Sequence, residues 1–310
     1  MSRVLKNNWQ PTAPFSNLIL RAKILAKIRQ FFSDRGVWEV DTPLLSTATV
    51  TDPHLHSLVT TKTLYLQTSP EFAMKRLLCA GSGAIYQICK AFRDDEQGYQ
   101  HNPEFTMLEW YRPGFDLQDL IQETDELLQH ILQTPPAEKL TYQEAFEKYL
   151  GINPHTIDLS ELKQLAQNTI GFSDDRDSLL QLLMSRHIEP HLTCTFIYDF
   201  PASQAALARI RLGDSPVAER VEVYINGMEL ANGFYELSDP NEQKKRFLKD
   251  IKQRKILGYP AVPYDENLIA ALTHGLPDCS GIALGVDRLV MIAAKTKNIA
   301  DVVSFPIDRA

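Results

Sequence analysis

The segment AFRDDEQGYQHNPEFTMLEWY, residues 91–111, constrains the fold of this chain more than any other segment. Residues 85–93 and 105–111 alternate in character, and a period of two predicts β-strands. The charged stretch between them predicts the long loop of an antiparallel hairpin. Arg93 ends the first strand, while Phe105, Glu109 and Tyr111 share one face of the second.

These residue types suit a nucleotide and an amine. An arginine can bind a phosphate through its forked guanidinium. An aromatic ring can stack on a base, and a carboxylate can hold an amine. A surface hairpin with ordinary charges is the competing interpretation, and alternation alone favours it.

The composition describes a globular chain. It has 310 residues, of which 44% are hydrophobic and 23% charged, enough for one large core or two domains. No apolar run reaches the length of a membrane span, and the first ten residues lack the apolar core of a signal peptide, so we expect a cytoplasmic protein. Its net charge of −7 argues against tRNA as a partner. The four scattered cysteines predict reduced thiols.

The rest of the chain alternates helical and strand patterns. We predict helices over residues 18–32, 71–78, 116–132, 141–151, 160–168, 175–187, 240–257 and 268–274, and strands over residues 37–41, 64–68, 194–200, 217–224 and 228–237. Thr141 and Glu144 form a capping box for the fourth helix, and Asp239 caps the seventh. Ser69-Pro70-Glu71 opens the second of these helices, where Glu71 favours the helix dipole. Gly285 turns a last apolar strand into a helix that carries Arg288 in its first turn, which suits a nucleotide anion.

Two glutamates flank the small residues of MELANGFYEL. Asn226-Gly227 predicts a tight turn before this strand. Strict alternation places Glu229 and Glu236 on opposite faces, so both reach one site only if the strand bulges, for which Gly233 is the candidate position. Two solvent-facing acids are the alternative. Small residues here would let a ligand lie close to the backbone.

Three segments together resemble the class II aminoacyl-tRNA synthetases, and HNPEFTMLEWY resembles the lysyl branch. The segments are Val37–Pro43, Ala91–Tyr111 and Gly281–Val290, in the order of the family's three motifs. The resemblance implies an α+β fold in which an antiparallel sheet is flanked by helices. It implies one catalytic domain over residues 1–310, with a mainly helical insertion at about 134–192, and a homodimer built on the first motif.

The resemblance also implies the reaction and its residues. A carboxylate attacks the α-phosphate of ATP, with Mg²⁺, to give an acyl-adenylate. Arg93 and Arg288 are then the catalytic residues, and Glu229 and Glu236 hold the metal. The ATP site comprises Arg93, Asp94, Asp95, His101, Asn102, Phe105, Glu229, Leu230, Gly285 and Arg288. The amino-acid site comprises Ser69, Pro70, Glu71, Glu109, Tyr111, Glu236 and Ala283.

The sequence departs from the lysyl synthetases in three ways, and these bear on the molecule that receives the activated amino acid. The chain begins almost at the first motif, so the β-barrel domain that grips the anticodon is expected to be missing. Asp95 replaces the usual glutamate, and Glu96 is an alternative contact to adenine. Ala283 replaces a usual glycine, which favours a lysine of another shape, such as β-lysine. These departures predict a paralogue that modifies a protein lysine. A stand-alone lysine-activating enzyme and a non-catalytic amino-acid sensor are the alternatives.

Overall fold

The computed structural model describes residues 9–94, 98–167 and 175–310. The α-helices are α1 (Phe15–Ser33), α2 (Glu71–Cys79), α3 (Leu117–Leu132), α4 (Tyr142–Leu150), α5 (Leu159–Gln167), α6 (Arg176–Leu183), α7 (Pro240–Ile256), α8 (Glu266–His274) and α9 (Val286–Ala294). The strands are β1 (Trp38–Glu39), β2 (Leu45–Ser46), β3 (Tyr65–Leu66), β4 (Ile85–Phe92), β5 (Glu104–Pro113), β6 (Glu138–Thr141), β7 (Cys194–Pro201), β8 (Ile210–Arg211), β9 (Val217–Ile225), β10 (Met228–Tyr235) and β11 (Cys279–Gly285).

The chain forms two compact units. Unit 1 comprises Met1–Pro113, Ser238–Pro277 and Ala283–Ala310, and unit 2 comprises Gly114–Leu237 and Asp278–Ile282. No helix among the described residues has the length and apolar character needed to cross a membrane.

Unit 1 is built on the predicted hairpin. β5 pairs antiparallel with the whole length of β4, from Ile85↔Tyr111 to Phe92↔Glu104, and β1 adds to β4 in parallel. One face of this ladder packs against α1, where the ring of Phe32 lies 4.6 Å from Tyr86 and 5.3 Å from Trp110. Burial of these aromatic rings holds the hairpin on the helix. The opposite face is therefore the one that can receive ligands.

Helices α2 and α7 of unit 1 are in contact with each other. Phe72 of α2 lies 5.7 Å from Phe247 of α7. Asp239 caps α7 by accepting hydrogen bonds from two backbone N–H groups, as its sequence predicts. The buried Arg254 near the end of α7 donates to the carbonyls of Asp52 and Leu55. These bonds anchor the segment before β3 on α7.

Unit 2 contains a second ladder and a helical layer. β9 pairs antiparallel with β10, β7 and β8, and β6 pairs in parallel with β7. Helices α4 to α6 pack their apolar faces into a core centred on Tyr142, Phe146 and Leu180. A capping box between Thr141 and Glu144 begins α4, as the sequence predicts.

Most pairings are antiparallel, as expected, but the β1–β4 and β6–β7 pairings make the sheets mixed. The strand predicted over residues 37–41 shortens to Trp38–Glu39. β6 lies inside the segment predicted as mainly helical. Its four residues have no strand-like alternation, so the pairing with β7 determines its conformation.

Candidate active site

The face of the β4–β5 ladder that points away from α1 carries the predicted polar residues of this hairpin. Opposed residues of an antiparallel pair point to the same side, so the register places Gln87 beside Glu109 and Cys89 beside Met107. Phe105, Met107, Glu109 and Tyr111 share this face, as the alternation predicted. It lies opposite the face that packs on α1.

Arg93 stands at the end of this face, one residue beyond β4. Its guanidinium carbon lies 5.2 Å from the centre of the Phe105 ring. Its backbone N–H donates to the carbonyl of Pro103 at 3.0 Å, and the N–H of Asp94 donates to the carbonyl of His56 at 2.8 Å. The chain on both sides of the hairpin therefore fixes the direction of Arg93. A guanidinium beside a half-buried ring is a suitable site for a base and its phosphate.

Arg288 and His101 are in contact within unit 1. Nη2 of Arg288 lies 2.6 Å from Nε2 of His101. The stem of Arg288 passes Gly285, where an added Cβ would lie 3.7 Å from Cδ of the arginine. Asp287 fixes the start of α9, because its carboxylate accepts from Arg21 at 2.5 Å and from the N–H of Thr106 at 2.8 Å. Arg288 is thus presented next to β5.

Asn102 has a structural role that the sequence did not reveal. Its amide nitrogen donates to the carbonyl of Glu104 at 2.6 Å, and its amide oxygen accepts from the N–H of Ile307 at 3.0 Å. The side chain borders a cavity of about 240 Å³ next to the C-terminal segment, together with Lys90. Both polar atoms of Asn102 therefore hold the loop and the C-terminal segment, and its role in ATP binding stays a prediction.

The start of α2 brings Ser69, Pro70 and Glu71 together. The N–H of Glu71 donates to the Ser69 hydroxyl at 3.1 Å. A cavity of about 110 Å³ lies next to Ser69 and Pro70. Oε1 of Glu71 accepts from the buried Lys75 ammonium at 2.6 Å. Glu71 therefore already holds one amine of the protein itself, and a substrate amine would share its carboxylate with Lys75.

Glu109 is a buried carboxylate on the same ladder. Only 2% of its surface is exposed, and Oε1 accepts from the hydroxyl of Tyr111 at 2.6 Å. Burial raises the pKa of the neighbouring Cys89 thiol to about 12, and the negative charge of Glu109 contributes to that rise. A buried carboxylate held by a neutral donor is suited to bind an ammonium ion.

In unit 2 the predicted bulge exists, at a different position. The pairing of β10 with β9 shifts register between Glu229 and Ala231, so Leu230 is the extra residue. Glu229 is paired with Tyr224, and Asn232 is paired with Glu222. The bulge brings Glu229 to the face that Asn232 occupies, and continued alternation places Glu236 there as well.

Gly233 is regularly paired with Val221, so the prediction of a bulge there is wrong. An added Cβ would lie 2.7 Å from Cβ of Ile282 and 2.8 Å from the carbonyl of Gly281. Glycine is therefore required by the close approach of the chain's own Gly281 and Ile282, whereas the sequence suggested the approach of a ligand.

Glu222 is a candidate site residue that sequence reasoning missed. Its carboxylate accepts hydrogen bonds from Arg220 and Tyr224, and the amide of Asn232 lies 3.4 Å from Oε1. Burial together with the charge of Glu222 raises the pKa of Glu189 to about 7. The signal was available, because Glu222 precedes Glu229 by seven residues, the spacing that separates Glu229 from Glu236. Mg²⁺ is typically bound through one or two carboxylates together with substrate phosphates, so the predicted pair Glu229 and Glu236 fits this ion. Glu222 is compensated by Arg220, and the described residues form no group of three such side chains that could hold a metal ion.

Three other predicted positions complete the description. Asp94 is exposed, Ala283 is half-buried in β11, and Leu230 is buried. Asp95, like its alternative Glu96, lies outside the described residues.

Comparison with known proteins identifies the class. The family of class II tRNA synthetases for D, K and N matches residues 8–309, and the chain belongs to this family. More specific relatives share about half of their residues with this chain. Elongation factor P–(R)-β-lysine ligase of Klebsiella pneumoniae subsp. pneumoniae is 52% identical, and the protein of that name from Salmonella paratyphi B is 53% identical. Each comparison covers 97% of this chain and 98% of the relative.

Proposed function

We propose that this protein is an AMP-forming ligase that activates (R)-β-lysine with ATP and transfers it to the ε-amino group of a lysine on elongation factor P. The observation that carries the proposal is identity of 52–53% to ligases of that name over 97% of the chain. Class II membership supports the use of ATP. The buried Glu109 supports an amine-bearing substrate.

In the first step a substrate carboxylate oxygen attacks the α-phosphorus of ATP, and the bond to pyrophosphate breaks. Such a reaction depends on alignment and charge neutralisation. Arg93 binds the α-phosphate, and Phe105 and Arg288 enclose the adenine. His101, Asp94, Asp95, Leu230 and Gly285 are further proposed nucleotide contacts. Asn102 is a further proposed nucleotide contact, and it also holds the loop that carries His101.

Magnesium supplies charge neutralisation at the triphosphate when it is bound. Glu229 and Glu236 would hold the ion, while Glu222 lies on the same face and is paired with Arg220.

In the second step the acceptor's neutral ε-amine attacks the acyl carbon. A new amide bond forms, and the bond between the acyl carbon and the phosphate oxygen of AMP breaks. AMP leaves with that electron pair, and the attacking amine gives up a proton. Ser69, Pro70, Glu71, Glu109, Tyr111, Glu236 and Ala283 surround the amino acid in this proposal. Several carboxylates around one pocket suit a dicationic substrate.

A substitution at Ala283 tests the alternative that the enzyme activates α-lysine. A methyl group in a pocket wall discriminates between substrate shapes by about 10- to 200-fold. Ala283→Gly is therefore expected to shift the ratio of kcat/KM values toward α-lysine by about tenfold, measured by ATP–pyrophosphate exchange with each amino acid. An unchanged ratio would contradict the pocket assignment.

Homodimerisation is part of the proposal. Phe15 and Ile19 of α1 are 72% and 56% exposed, and Trp38 of β1 is 57% exposed. Exposed apolar side chains on α1, and on β1 within the segment that resembles the first motif, favour a protein interface. Sedimentation at working concentration tests this, and a monomer would contradict it. The acceptor is a translation factor, so we place the reaction in the cytoplasm.

The decisive experiment offers two acceptors in parallel. Purified protein, ATP, Mg²⁺ and labelled (R)-β-lysine are mixed with elongation factor P or with bulk tRNA. We expect label on the factor, at a lysine that mass spectrometry locates. Label on tRNA would contradict the proposal in favour of a synthetase. Absence of label on both, together with absence of ATP–pyrophosphate exchange, would favour the sensor.

A further inference from the structure

Gln87 is a buried polar side chain that none of the proposed roles uses. It lies in β4 and only 1% of its surface is exposed. The Thr42 hydroxyl donates to its Oε1 at 2.9 Å. Its Nε2 atom is buried and has no hydrogen-bond partner among the described residues. A buried amide left half-satisfied destabilises a folded chain, so such a group calls for a partner that the protein itself does not provide.

The register fixes the direction of this side chain. Gln87 opposes Glu109 directly, so the two Cβ atoms lie about 4.5–5.5 Å apart on the same face of the ladder. Tyr111, which donates to Glu109, is on this face too. The opposite face packs on α1 through Tyr86 and Trp110. The carboxamide of Gln87 therefore lies beside the carboxylate that we assign to the substrate amine.

A carboxamide can turn its nitrogen and oxygen around at little cost in shape, and the two atoms are assigned from the hydrogen-bond pattern. The Thr42 hydroxyl is able to donate to the oxygen or to accept from the nitrogen. With the nitrogen on Thr42, the oxygen becomes an acceptor beside Glu109. Thr42 thus holds the amide in either state and leaves one atom for a ligand.

We propose that Gln87 binds an amino group of the substrate, as a neutral acceptor alongside the Glu109 carboxylate. This inference rests on the proposed function and names a further residue of its amino-acid site. A carboxylate at position 87 would face another carboxylate across the ladder, and one of the two would hold a proton. The neutral amide lets Glu109 stay ionised while it adds a second hydrogen bond to the ammonium.

The test compares the KM for (R)-β-lysine with the KM for ATP in ATP–pyrophosphate exchange. Gln87→Met keeps the length of the side chain and removes its polar atoms, and we expect the KM for the amino acid to rise about tenfold while that for ATP is unchanged. Such a factor is typical of one hydrogen bond to a charged group. Thr42→Val should raise the same KM by a smaller factor, and Thr42→Ser should retain the original value.

Gln87→Glu provides a pH signature that a purely structural role would not produce. The paired carboxylates should share one proton near neutrality, so the KM for the amino acid should fall as the pH rises from about 6 to 9. This variant keeps the shape of the side chain and its bond to Thr42, so it carries the test if Gln87→Met does not fold.

Two further variants make the outcome decisive. Gln243 of α7 is also 1% exposed, with an Nε2 atom that lacks a described partner, so Gln243→Met is the matched control and should not change the KM for the amino acid. An equal rise in that control would overturn the inference. A normal KM in Gln87→Met, together with a raised KM in Glu109→Gln, would also overturn it. A normal KM in both variants would instead reject the proposed amino-acid site.

Discussion

The β4–β5 and β9–β10 ladders use similar residues in different arrangements. Each carries a glutamate that accepts from a tyrosine two residues further along its strand, Glu109 with Tyr111 and Glu222 with Tyr224. Each also has an arginine beside a phenylalanine ring, which in the second case belongs to the neighbouring strand β7. The guanidinium of Arg93 lies 5.2 Å from Phe105, and that of Arg220 lies 4.7 Å from Phe200.

The difference is the distance between the charges. Arg220 is ion-paired with Glu222 two residues away, so the cation and the anion of the second ladder compensate each other. Arg93 lies six residues beyond Gln87, the partner of Glu109, which corresponds to about 20 Å along a strand. In the β9–β10 ladder the arginine and the glutamate are in contact, and their ion pair stabilises the fold. In the β4–β5 ladder the arginine and the glutamate are far apart, so they can bind the two ends of an extended substrate.

The largest effect should come from the two arginines. Arg93→Ala is expected to lower the rate of ATP–pyrophosphate exchange by about 1000-fold or more, because it removes a cation from the reacting phosphate. Arg220→Ala should lower stability by about 3–5 kcal/mol, because it leaves a buried carboxylate without its cation. Exchange assays and urea unfolding of both variants check this. Lys90→Ala in the same hairpin removes only an exposed pair with Glu104 and is the control. Normal exchange in Arg93→Ala would show that the assignment is wrong.

Substitutions of Glu109 and Glu229 should affect different ligands, the amino acid in the first case and Mg²⁺ in the second. Glu109→Gln is expected to raise the KM for the amino acid by about 100-fold, with the dependence on Mg²⁺ unchanged, because an ammonium loses its counter-charge. Glu229→Gln should raise the Mg²⁺ concentration needed for half-maximal exchange about tenfold and leave the amino-acid KM unaltered. Titrations of both ligands in each variant are the measurement. If both variants changed the same parameter, the contrast between the ladders would be lost.

The tyrosines should differ by a smaller factor. Tyr111→Phe removes the hydroxyl that donates to Glu109 and should raise the amino-acid KM about fivefold. Tyr224→Phe removes the donor to Glu222 and should act on stability, by about 1–3 kcal/mol. KM values and unfolding midpoints of the two variants provide the comparison. A raised amino-acid KM in Tyr224→Phe would contradict it.

The smallest effect concerns the pH dependence of unit 2. The pKa of Glu189 is raised from its usual 4.5 to about 7, so the protonated carboxyl favours the folded state. Its contribution to stability is present below pH 4.5 and is lost as the pH rises toward 7 and above. Glu189→Gln should therefore unfold at a temperature several degrees higher than the parent at pH 8, with no difference at pH 4.5. Calorimetry at the two pH values measures this, and an equal shift at both would exclude titration of Glu189 as the cause.

Alternation made the first ladder predictable. Residues 85–93 and 105–111 gave the strands within two residues at each end, since the aromatic face of this hairpin is buried against α1. It also predicted the shared face of Phe105, Glu109 and Tyr111. Local signals were similarly sufficient for the cap at Asp239 and the capping box at Thr141.

Tertiary contacts decided the features that the sequence did not reveal. The position of the bulge follows from the pairing of β10 with β9. Glycine is required at position 233 because Ile282 leaves no room for a side chain there. Asn102 is engaged by Ile307, which lies 205 residues further along the chain. Lys75 forms an ion pair with Glu71, although from the sequence each residue alone was compatible with a position on the helix surface. A residue type indicates what a side chain can bind, whereas its neighbours in the fold decide what it does bind.

The extra residue at Leu230 has a consequence for mutational tolerance. Seven positions separate Glu229 from Glu236, an odd number that a regular strand would divide between two faces. Because one of these positions is accommodated in the bulge, the strand behaves as if the number were even. Substitutions between the two glutamates can preserve this parity, but the deletion or insertion of a single residue would reverse it. A change in the number of residues would therefore place Glu229 and Glu236 on opposite faces of the strand, even if the composition of the segment were conserved.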